Sequence, residues 1–255
     1  MRFSAFDFDV VTSPPPDDRG DTAVTAPLPP LRVLSTLGVM GALEAQQATI
    51  ERQLGTTLAA EFAPTKVLLD RLAAGETPDV VILTAEAIAA LDSQGKLAPG
   101  GAPLAGSLVG IAQAPGQAHP DIGSATALIA TLRAARSIAY SGAGASGLFF
   151  AALIERLGIA AEINAKATII PQGLTGALVA RGETQYAIQQ ISELKLVDGI
   201  DIIGPLPADT QTPTIFSAAP LAGASRPDAA AELIRLLRSA EMAAAFAAAG
   251  LEPIG

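Results

Sequence analysis

The chain has 255 residues, of which half are hydrophobic and 16% are charged. This length and composition allow one or two globular domains with a large core. A net charge of −9, only two tyrosines and no tryptophan argue against a nucleic-acid interface with stacked bases. Cysteine is absent, which excludes thiolate catalysis, cysteine-ligated zinc and disulfide bonds.

Residues 1–30 are rich in aspartate and proline and include the run Pro14-Pro15-Pro16. They contain no basic segment followed by an apolar one, so they do not resemble a signal peptide. We predict a flexible N-terminal arm over residues 1–30. Localisation stays open between periplasm and cytoplasm. No later stretch reaches 18 uninterrupted apolar residues, so we predict no membrane span.

From Leu31 onward, short β-branched runs alternate with helical stretches. This alternation predicts an α/β fold with mainly parallel sheets. The predicted strands are Arg32–Thr36, Thr57–Phe62, Val80–Thr84, Ser107–Ala112, Ser137–Tyr140, Thr168–Ile170, Tyr186–Gln189, Asp201–Ile203 and Thr214–Ala218.

Helical stretches lie between these strands, and a glycine suited to a left-handed cap follows several of them. The predicted helices are Val39–Gln53, Lys66–Ala74, Ala85–Gln94, Ala125–Ala135, Leu148–Leu157, Leu174–Arg181 and Asp228–Leu237. The predicted cap glycines are Gly75, Gly95, Gly158, Gly182 and Gly250.

Two distant segments, residues 31–42 and 137–150, follow the same pattern. In LRVLSTLGVMGA and in SIAYSGAGASGLFF, an apolar strand leads into a small loop of Ser, Thr and Gly, and a helix begins there. Free N–H groups and the positive end of a helix dipole lie at such loops. Two such loops facing each other across a cleft predict an anion site that needs no metal.

The order and spacing of five blocks from Leu31 to Pro253 resemble the molybdate-binding-protein family of type II periplasmic solute-binding proteins. The resemblance implies two α/β lobes, residues 31–110 with 214–255 and residues 111–213, and a ligand cleft between them. It also implies a monomer, a small anionic ligand and an ABC transporter permease as a partner. The blocks are RVLSTLGVMGALE, FAPTKVLLDRLAAGETPDVVILTAEAI, SIAYSGAGASGLFFAALIERLGI, GLTGALVARGETQYAIQQISEL and FSAAPLAGASRPDAAAELIRLLRSAEMAAAFAAAGLEP.

The family pattern implies which residues bind the ligand, and this chain departs from it at two places. The serine of the first loop falls at Gly38, and the tyrosine that commonly closes the site is replaced around Gln189 and Gln190. The segments IQQISEL and ARGETQYA are more similar to a divergent branch that includes aconitate isomerase. The implied ligand-binding residues are Ser35, Thr36, Gly38, Thr65, Lys66, Ser141, Ala145, Ser146, Gly147, Gly173, Leu174, Gln189 and Gln190.

These departures favour a di- or tricarboxylate over molybdate, because a carboxylate ligand presents acceptors at several separated points. Gln189 and Gln190 bring amide donors, although strand alternation lets only one of them face the cleft. Lys66 brings a positive charge at a helix start. The alternative for Lys66 is a solvated surface lysine.

Two apparent motifs do not indicate a cofactor or a metal. Gly142, Gly144 and Gly147 spell G-x-G-x-x-G, but no acidic residue for a ribose follows the next strand. His119 is the only histidine and lies in a Pro/Gly-rich segment, so we expect an exposed loop residue and no transition-metal site.

Two functions remain after a dehydrogenase is disfavoured. The first is a non-catalytic binding protein for a small anion, and the second is an isomerase that moves a proton along an allylic carboxylate. A closed, dry cleft with one positioned base would suffice for the second. The candidate bases are Lys66 and Glu193.

Overall fold

A computed structural model describes residues 29–254 of the chain. All but the last two residues of the predicted N-terminal arm lie outside the described residues. The strands are β1 (Leu31–Ser35), β2 (Leu58–Phe62), β3 (Val80–Thr84), β4 (Ala102–Ser107), β5 (Val109–Gln113), β6 (Ile138–Ser141), β7 (Ala167–Ile170), β8 (Tyr186–Gln190), β9 (Asp201–Pro205), β10 (Thr214–Pro220) and β11 (Glu252–Pro253).

A short 3₁₀ helix, η1 (Leu37–Val39), precedes the first α-helix. The α-helices are α1 (Met40–Leu54), α2 (Thr65–Ala73), α3 (Ala85–Ser93), α4 (Ala125–Ala134), α5 (Ala145–Arg156), α6 (Ala160–Asn164), α7 (Gly176–Ala180), α8 (Ile191–Leu194), α9 (Pro227–Leu237) and α10 (Ala240–Ala248). None of the helices within residues 29–254 is long and apolar enough to cross a bilayer.

The strands form two sheets, and each sheet is the centre of one lobe. The first has the order β11-β4-β10-β3-β1-β2, and the second has the order β7-β6-β8-β5-β9. We call residues 29–107 with 214–254 lobe 1 and residues 109–213 lobe 2. The fold is therefore α/β with two lobes, as the sequence predicts.

The prediction of mainly parallel sheets is wrong. Strands β1, β2 and β3 are parallel, as are β6, β7 and β8, but β5 and β10 pair antiparallel with their neighbours. Parallel neighbours need a crossover connection such as a helix, whereas β4 passes to β5 through Leu108 alone. The single strand predicted over Ser107–Ala112 is for this reason the end of β4 and most of β5, which belong to different lobes.

Helices cover both faces of the lobe 1 sheet. Along β3, Val80 and Ile82 pack into the core beneath α1, α9 and α10, while Val81 and Leu83 pack against α2 and α3 on the other face. Successive side chains point to opposite faces of a strand, so a strand covered on both faces is apolar throughout. A separate core around Ile138, formed with α4 and α5, supports lobe 2.

The predicted cap glycines are confirmed, because all five have positive φ angles. A positive φ costs glycine little, so these residues end helices that the sequence pattern locates. Helix α5 starts at Ala145, three residues before its predicted start, and α7 is shorter than predicted. The early start of α5 matters for the site because it brings Ala145 and Ser146 into the first helical turn.

Candidate ligand cleft between the lobes

The carboxyl ends of the parallel strands of both lobes lie at the junction between the lobes. In lobe 1, β1 ends at Ser35, and in lobe 2, β6 ends at Ser141. The N–H of Lys66, at the start of α2, lies 3.4 Å from the carbonyl oxygen of Ala143 in the loop after β6. Ligands of α/β proteins bind outside the carboxyl ends of parallel strands, and here two such edges meet.

Two helices begin at this contact without a side-chain cap. Pro64 precedes α2 and Gly144 precedes α5, and no side chain of the described residues caps either helix. In contrast, Thr84 and Ser124 cap α3 and α4. Apart from the N–H of Lys66, which contacts Ala143, the first-turn N–H groups of α2 and α5 have no side-chain cap within residues 29–254, and this arrangement at two positive dipole ends is favourable for an anion.

The residues predicted in the first loop have internal partners. The hydroxyl of Ser35 donates to the carbonyl oxygen of Thr36 at 3.0 Å, and the N–H of Thr36 donates to Ile82 at 2.9 Å. A Cβ on Gly38 would lie 2.3 Å from the ring of Phe216. Close packing therefore explains the glycine at position 38, where the family pattern implies a serine hydroxyl.

Thr65 is the predicted residue whose side chain lacks a partner. It is the first residue of α2 and is buried, and its hydroxyl has no hydrogen-bond partner within residues 29–254. A buried polar group without a partner costs about 1–3 kcal/mol. Thr65 directly precedes Lys66, whose N–H contacts Ala143 of the other lobe.

The side chain of Lys66 does not bring its charge into a dry cleft, and that expectation is corrected. The side chain is 60% exposed, and its amine forms an ion pair with Asp70, one turn along α2, at 2.8 Å. The long lysine stem lets the amine reach solvent and this (i, i+4) partner. Only the backbone N–H of Lys66 lies at the contact between the lobes.

The second loop is held in shape by Ser141 and Gly147. The hydroxyl of Ser141 accepts hydrogen bonds from the N–H groups of Ala143, at 3.2 Å, and Gly144, at 2.9 Å. A Cβ on Gly147 would lie only 1.7 Å from the carbonyl oxygen of Ser141. The first turn of α5, with buried Ser146 in it, is thus pressed against the end of β6.

Gln189 braces the third predicted loop from inside lobe 2. Its amide oxygen accepts from the N–H of Thr175 at 2.7 Å, and its amide nitrogen donates to the carbonyl oxygen of Gly173 at 3.3 Å. Gly173 has a φ of 90°, which favours glycine. Gln189 therefore positions the Gly173–Leu174 backbone and is not free to bind a ligand itself.

Gln190 points to the opposite face of β8 and reaches the junction of the lobes. Its amide nitrogen lies 3.0 Å from the hydroxyl of Thr214, the first residue of β10, which returns the chain to lobe 1. The amide oxygen is buried without a partner among the described residues. Of the two glutamines, Gln190 is the one with unused hydrogen-bonding capacity between the lobes.

Glu193 is a buried acid at the same junction. It lies in the first turn of α8, which packs against η1 of lobe 1. Burial raises its pKa to about 7, although hydrogen bonds from the Gln189 side chain and the Gln190 backbone act in the opposite direction. Burial thus favours the protonated form of this carboxyl group, which contacts Gln189, the residue that braces the Gly173 loop.

Sequence reasoning missed a set of polar residues at the points where the chain passes between the lobes. Ser107 at the end of β4 lies 3.4 Å from Ser192 of α8, hydroxyl to hydroxyl, and both are buried. Thr214, where the chain returns to lobe 1, contacts Gln190. Thr175, also missed from the sequence, contacts Gln189 inside lobe 2. The only signal in the sequence is a hydroxyl residue at the end of an apolar strand. Such residues are common at strand ends, so this signal is weak.

The glycine motif and the histidine have structural explanations. A Cβ on Gly142 would lie 3.2 Å from the side chain of Ile169, a tight contact but a milder one than the backbone overlap at Gly147. His119 is half exposed and lies 2.6 Å from the carboxylate of Asp201, away from the strand ends at the junction. Within residues 29–254 no group of three histidine, aspartate or glutamate side chains could hold a metal ion.

Residues 31–252 match the family model described as "Bacterial extracellular solute-binding protein". The chain belongs to this family. An aconitate isomerase from Pseudomonas sp is 36% identical over 211 residues, which is 80% of each chain. The resemblance to molybdate-binding-like type II solute-binding proteins, with an aconitate-isomerase-like branch, is confirmed.

Two solved structures of this kind share the two-lobed fold. The periplasmic molybdate-binding protein of Azotobacter vinelandii superposes with a TM-score of 0.73 at 18% identity, over 87% of this chain and 98% of that one. A periplasmic thiamin-binding protein superposes with a TM-score of 0.72 at 16% identity, over 89% of this chain and 84% of that one. At these identities the likeness shows the solute-binding fold and not the solute.

Proposed function

We propose that the cleft binds a small di- or tricarboxylate. The observation that carries this proposal is the pair of uncapped helix starts, α2 and α5, which meet at the Lys66–Ala143 contact. Residues 141–147 contain no lysine or arginine, and the amine of Lys66 at the start of α2 pairs with Asp70, so the positive potential at these helix starts comes from backbone N–H groups. Such donors at two separated points suit a ligand with two or more carboxylates.

The state of the polar groups at the junction supports a ligand-dependent closure. Thr65 and Gln190 each bury a polar atom without a partner among the described residues while the two lobes are in contact. Each such atom makes the empty, closed form less stable. A ligand that pairs with these atoms, or an opening that hydrates them, removes that cost, so the ligand favours the closed form.

The side-chain amide of Gln190 can present either its oxygen or its nitrogen to a ligand. If Thr214 donates its hydroxyl hydrogen to the amide oxygen, the amide nitrogen becomes the free group and donates to the ligand. This rotation keeps the observed Gln190–Thr214 contact.

In a transport role, the loaded protein would deliver its ligand to an ABC transporter permease, as the family resemblance implies.

A thermal-shift panel tests the ligand class. With a tricarboxylate at about a hundred times its Kd, we expect stabilisation of about 2.7 kcal/mol, which is a Tm increase of roughly 5–10 °C for a chain of this size. Molybdate at the same concentration should give a smaller increase. A large shift with molybdate and none with carboxylates would contradict the proposed class.

The variant Thr65→Val tests whether the Thr65 hydroxyl contacts the ligand. Because the Thr65 hydroxyl has no described partner, its removal should leave the Tm of the ligand-free protein unchanged or slightly higher. The tricarboxylate should bind roughly tenfold more weakly, the scale of a hydrogen bond to a charged group. Calorimetric titration measures this loss.

Thr126→Val is the matched control. Thr126 is an exposed threonine on α4 of lobe 2, and it lies outside both the cleft and its neighbouring loops. This variant should bind the tricarboxylate with unchanged affinity. An equal loss in both variants would mean that the Thr65 hydroxyl does not contact the ligand.

A second candidate function is isomerisation of the bound ligand, and the 36% identity to an aconitate isomerase favours it. In this reaction a base removes one proton from the methylene carbon beside a carboxylate. The carbon–carbon double bond moves one position, and a proton returns to the carbon at the far end, so no oxidant is needed. Glu193, with a pKa of about 7, suits such proton transfer near neutral pH.

Incubation of the protein with cis-aconitate or trans-aconitate, followed by chromatography, tests the second function. Conversion of one isomer into the other is expected, and Glu193→Gln should lower kcat at least about a hundredfold while weakening binding far less. Glu44→Gln, an exposed glutamate on α1, is the control. If Lys66→Gln abolishes the reaction and Glu193→Gln does not, the base is assigned wrongly. If no isomer forms, the protein is a binder only.

A further inference from the structure

A cavity of about 530 Å³ lies in lobe 2, away from the cleft. Arg136 and Ser137 line it just before β6, and Thr184, Gln185 and Tyr186 line it at the start of β8. Strand β8 runs from this cavity to Gln190 at the junction, and its two ends are separated by about 13 Å. A volume of this size is within the range of small-molecule sites.

The lining of the cavity is rich in hydrogen-bond donors and contains a single charged side chain. That side chain is Arg136, which is exposed and forms no ion pair with the acidic residues of the described chain. The neutral polar residues of the lining are Gln113, Gln117, Ser137, Thr184, Gln185 and Tyr186.

Two of these neutral residues have hydrogen-bonding capacity that the fold does not use. Thr184 is buried at 6% exposure, and its hydroxyl has no hydrogen-bond partner in residues 29–254. Gln185 uses its amide oxygen to accept from the N–H of Arg136 at 2.8 Å, which leaves its amide nitrogen to donate elsewhere. The same bond fixes Arg136 beside Gln185.

We propose that this cavity is a second ligand site, which takes a small oxyanion through the Arg136 guanidinium, the Gln185 amide and the Thr184 hydroxyl. The planar guanidinium donates two parallel hydrogen bonds to a carboxylate or phosphate. The proposal requires that the buried Thr184 hydroxyl turn toward the cavity that the residue lines, by rotation about χ1. The site is independent of the proposed cleft function, since it shares no residue with the cleft.

Titrations of the whole protein with inorganic phosphate and, separately, with malonate test this site by NMR. The backbone amide signals of Gly182, Thr184 and Gln185 should shift and saturate with at least one of the two anions. Saturation by phosphate alone identifies a phosphoryl ligand, and saturation by malonate alone identifies a carboxylate. If neither anion gives a saturable shift, the proposal is overturned.

Arg136→Gln should lower the affinity for the anion that saturates these signals at least tenfold. The hydrogen bond of Arg136 to Gln185 uses its backbone N–H, and its side chain makes none within the described chain. The variant should therefore keep the wild-type Tm, which thermal unfolding checks. Arg181→Gln is the matched control, since Arg181 is an exposed arginine paired with Glu183 and does not line the cavity. An equal loss of anion affinity in both variants would mean that the loss reflects only the change in net charge, and this would overturn the proposed site.

The cleft is read out separately in the same titrations. The amides of Ala145, Ser146 and Gly147 report the cleft, and Thr65→Val alters only that site. The cavity signals should respond with unchanged affinity in Thr65→Val. If the cavity signals shift only together with the cleft signals and are weakened by Thr65→Val, the anion binds in the cleft and the second site does not exist.

Discussion

Replacing Glu193 with glutamine is expected to remove a loss of stability that the natural protein undergoes between about pH 4.5 and pH 7. The ordinary pKa of this carboxyl is 4.5, and burial raises it to about 7 in the folded chain. Between these values the folded state keeps a proton that the unfolded state has lost. Stability from this group is therefore fully present below pH 4.5 and is lost as the pH rises to about 7.

The expected size of this effect is about 3 kcal/mol, from 1.36 kcal/mol for each unit of the pKa difference. Urea unfolding at pH 5 and pH 7.5 measures about 2 kcal/mol of it, because part of the titration lies outside this pH range. The comparison of wild type with Glu193→Gln separates it from the other carboxylates. The free energy of unfolding of the variant minus that of wild type should be larger at pH 7.5 than at pH 5. Glu44→Gln should leave the pH dependence of wild type in place. Parallel pH profiles for wild type and Glu193→Gln would show that the carboxyl is hydrated in solution.

Replacing Gly147 with alanine is expected to lower the stability of the fold and the affinity of the cleft together. The added Cβ would lie 1.7 Å from the carbonyl oxygen and 2.8 Å from the nitrogen of Ser141. Both are backbone atoms, so no rotamer change relieves the contact, and α5 must move away from β6. Overpacking of this kind costs about 3 kcal/mol, which corresponds to a Tm lower by roughly 6–12 °C.

Gly223→Ala is the control for this prediction. No heavy atom lies within 4 Å of the position of its added Cβ, and its φ is not in the left-handed region. This variant should change the Tm by no more than about 2 °C. Circular dichroism gives both Tm values, and calorimetry gives the ligand affinity of each variant. Equal Tm values for the two variants would show that the start of α5 is not pressed against Ser141.

The order of strands and helices could be predicted well from the sequence, because hydrophobic period and glycine punctuation are local signals. Strand β3 occurs where it was predicted, and the glycines that end α2 and α3 have the expected conformation. Strand β4 was missed since APLAGS carries a proline, a glycine and no β-branched residue. Its strand conformation comes from pairing with β10 and β11, which lie more than 100 residues away in sequence.

The candidate site stays a prediction, and the structure changes one of its two parts. The sequence indicated the loops of residues 31–42 and 137–150 as the anion sites, whereas the helix start that contacts the second loop is that of α2. The sequence could not show that Gln189 positions the Gly173 loop while Gln190 lies at the junction of the lobes, because both residues lie at the end of the same strand. That assignment follows from the hydrogen bonds to Thr175 and Thr214.

The sequence by itself determined the family through the order and spacing of five blocks. It also determined the α/β class and the loops that offer backbone donors, since these follow from local patterns along the chain. The tertiary structure alone decided where charge and protons lie. It put the Lys66 amine in solvent beside Asp70, and it buried Glu193 under η1 with a pKa of about 7. The physical reason is that burial and partners depend on residues distant in the chain, and these set the electrostatic energy of a charged group.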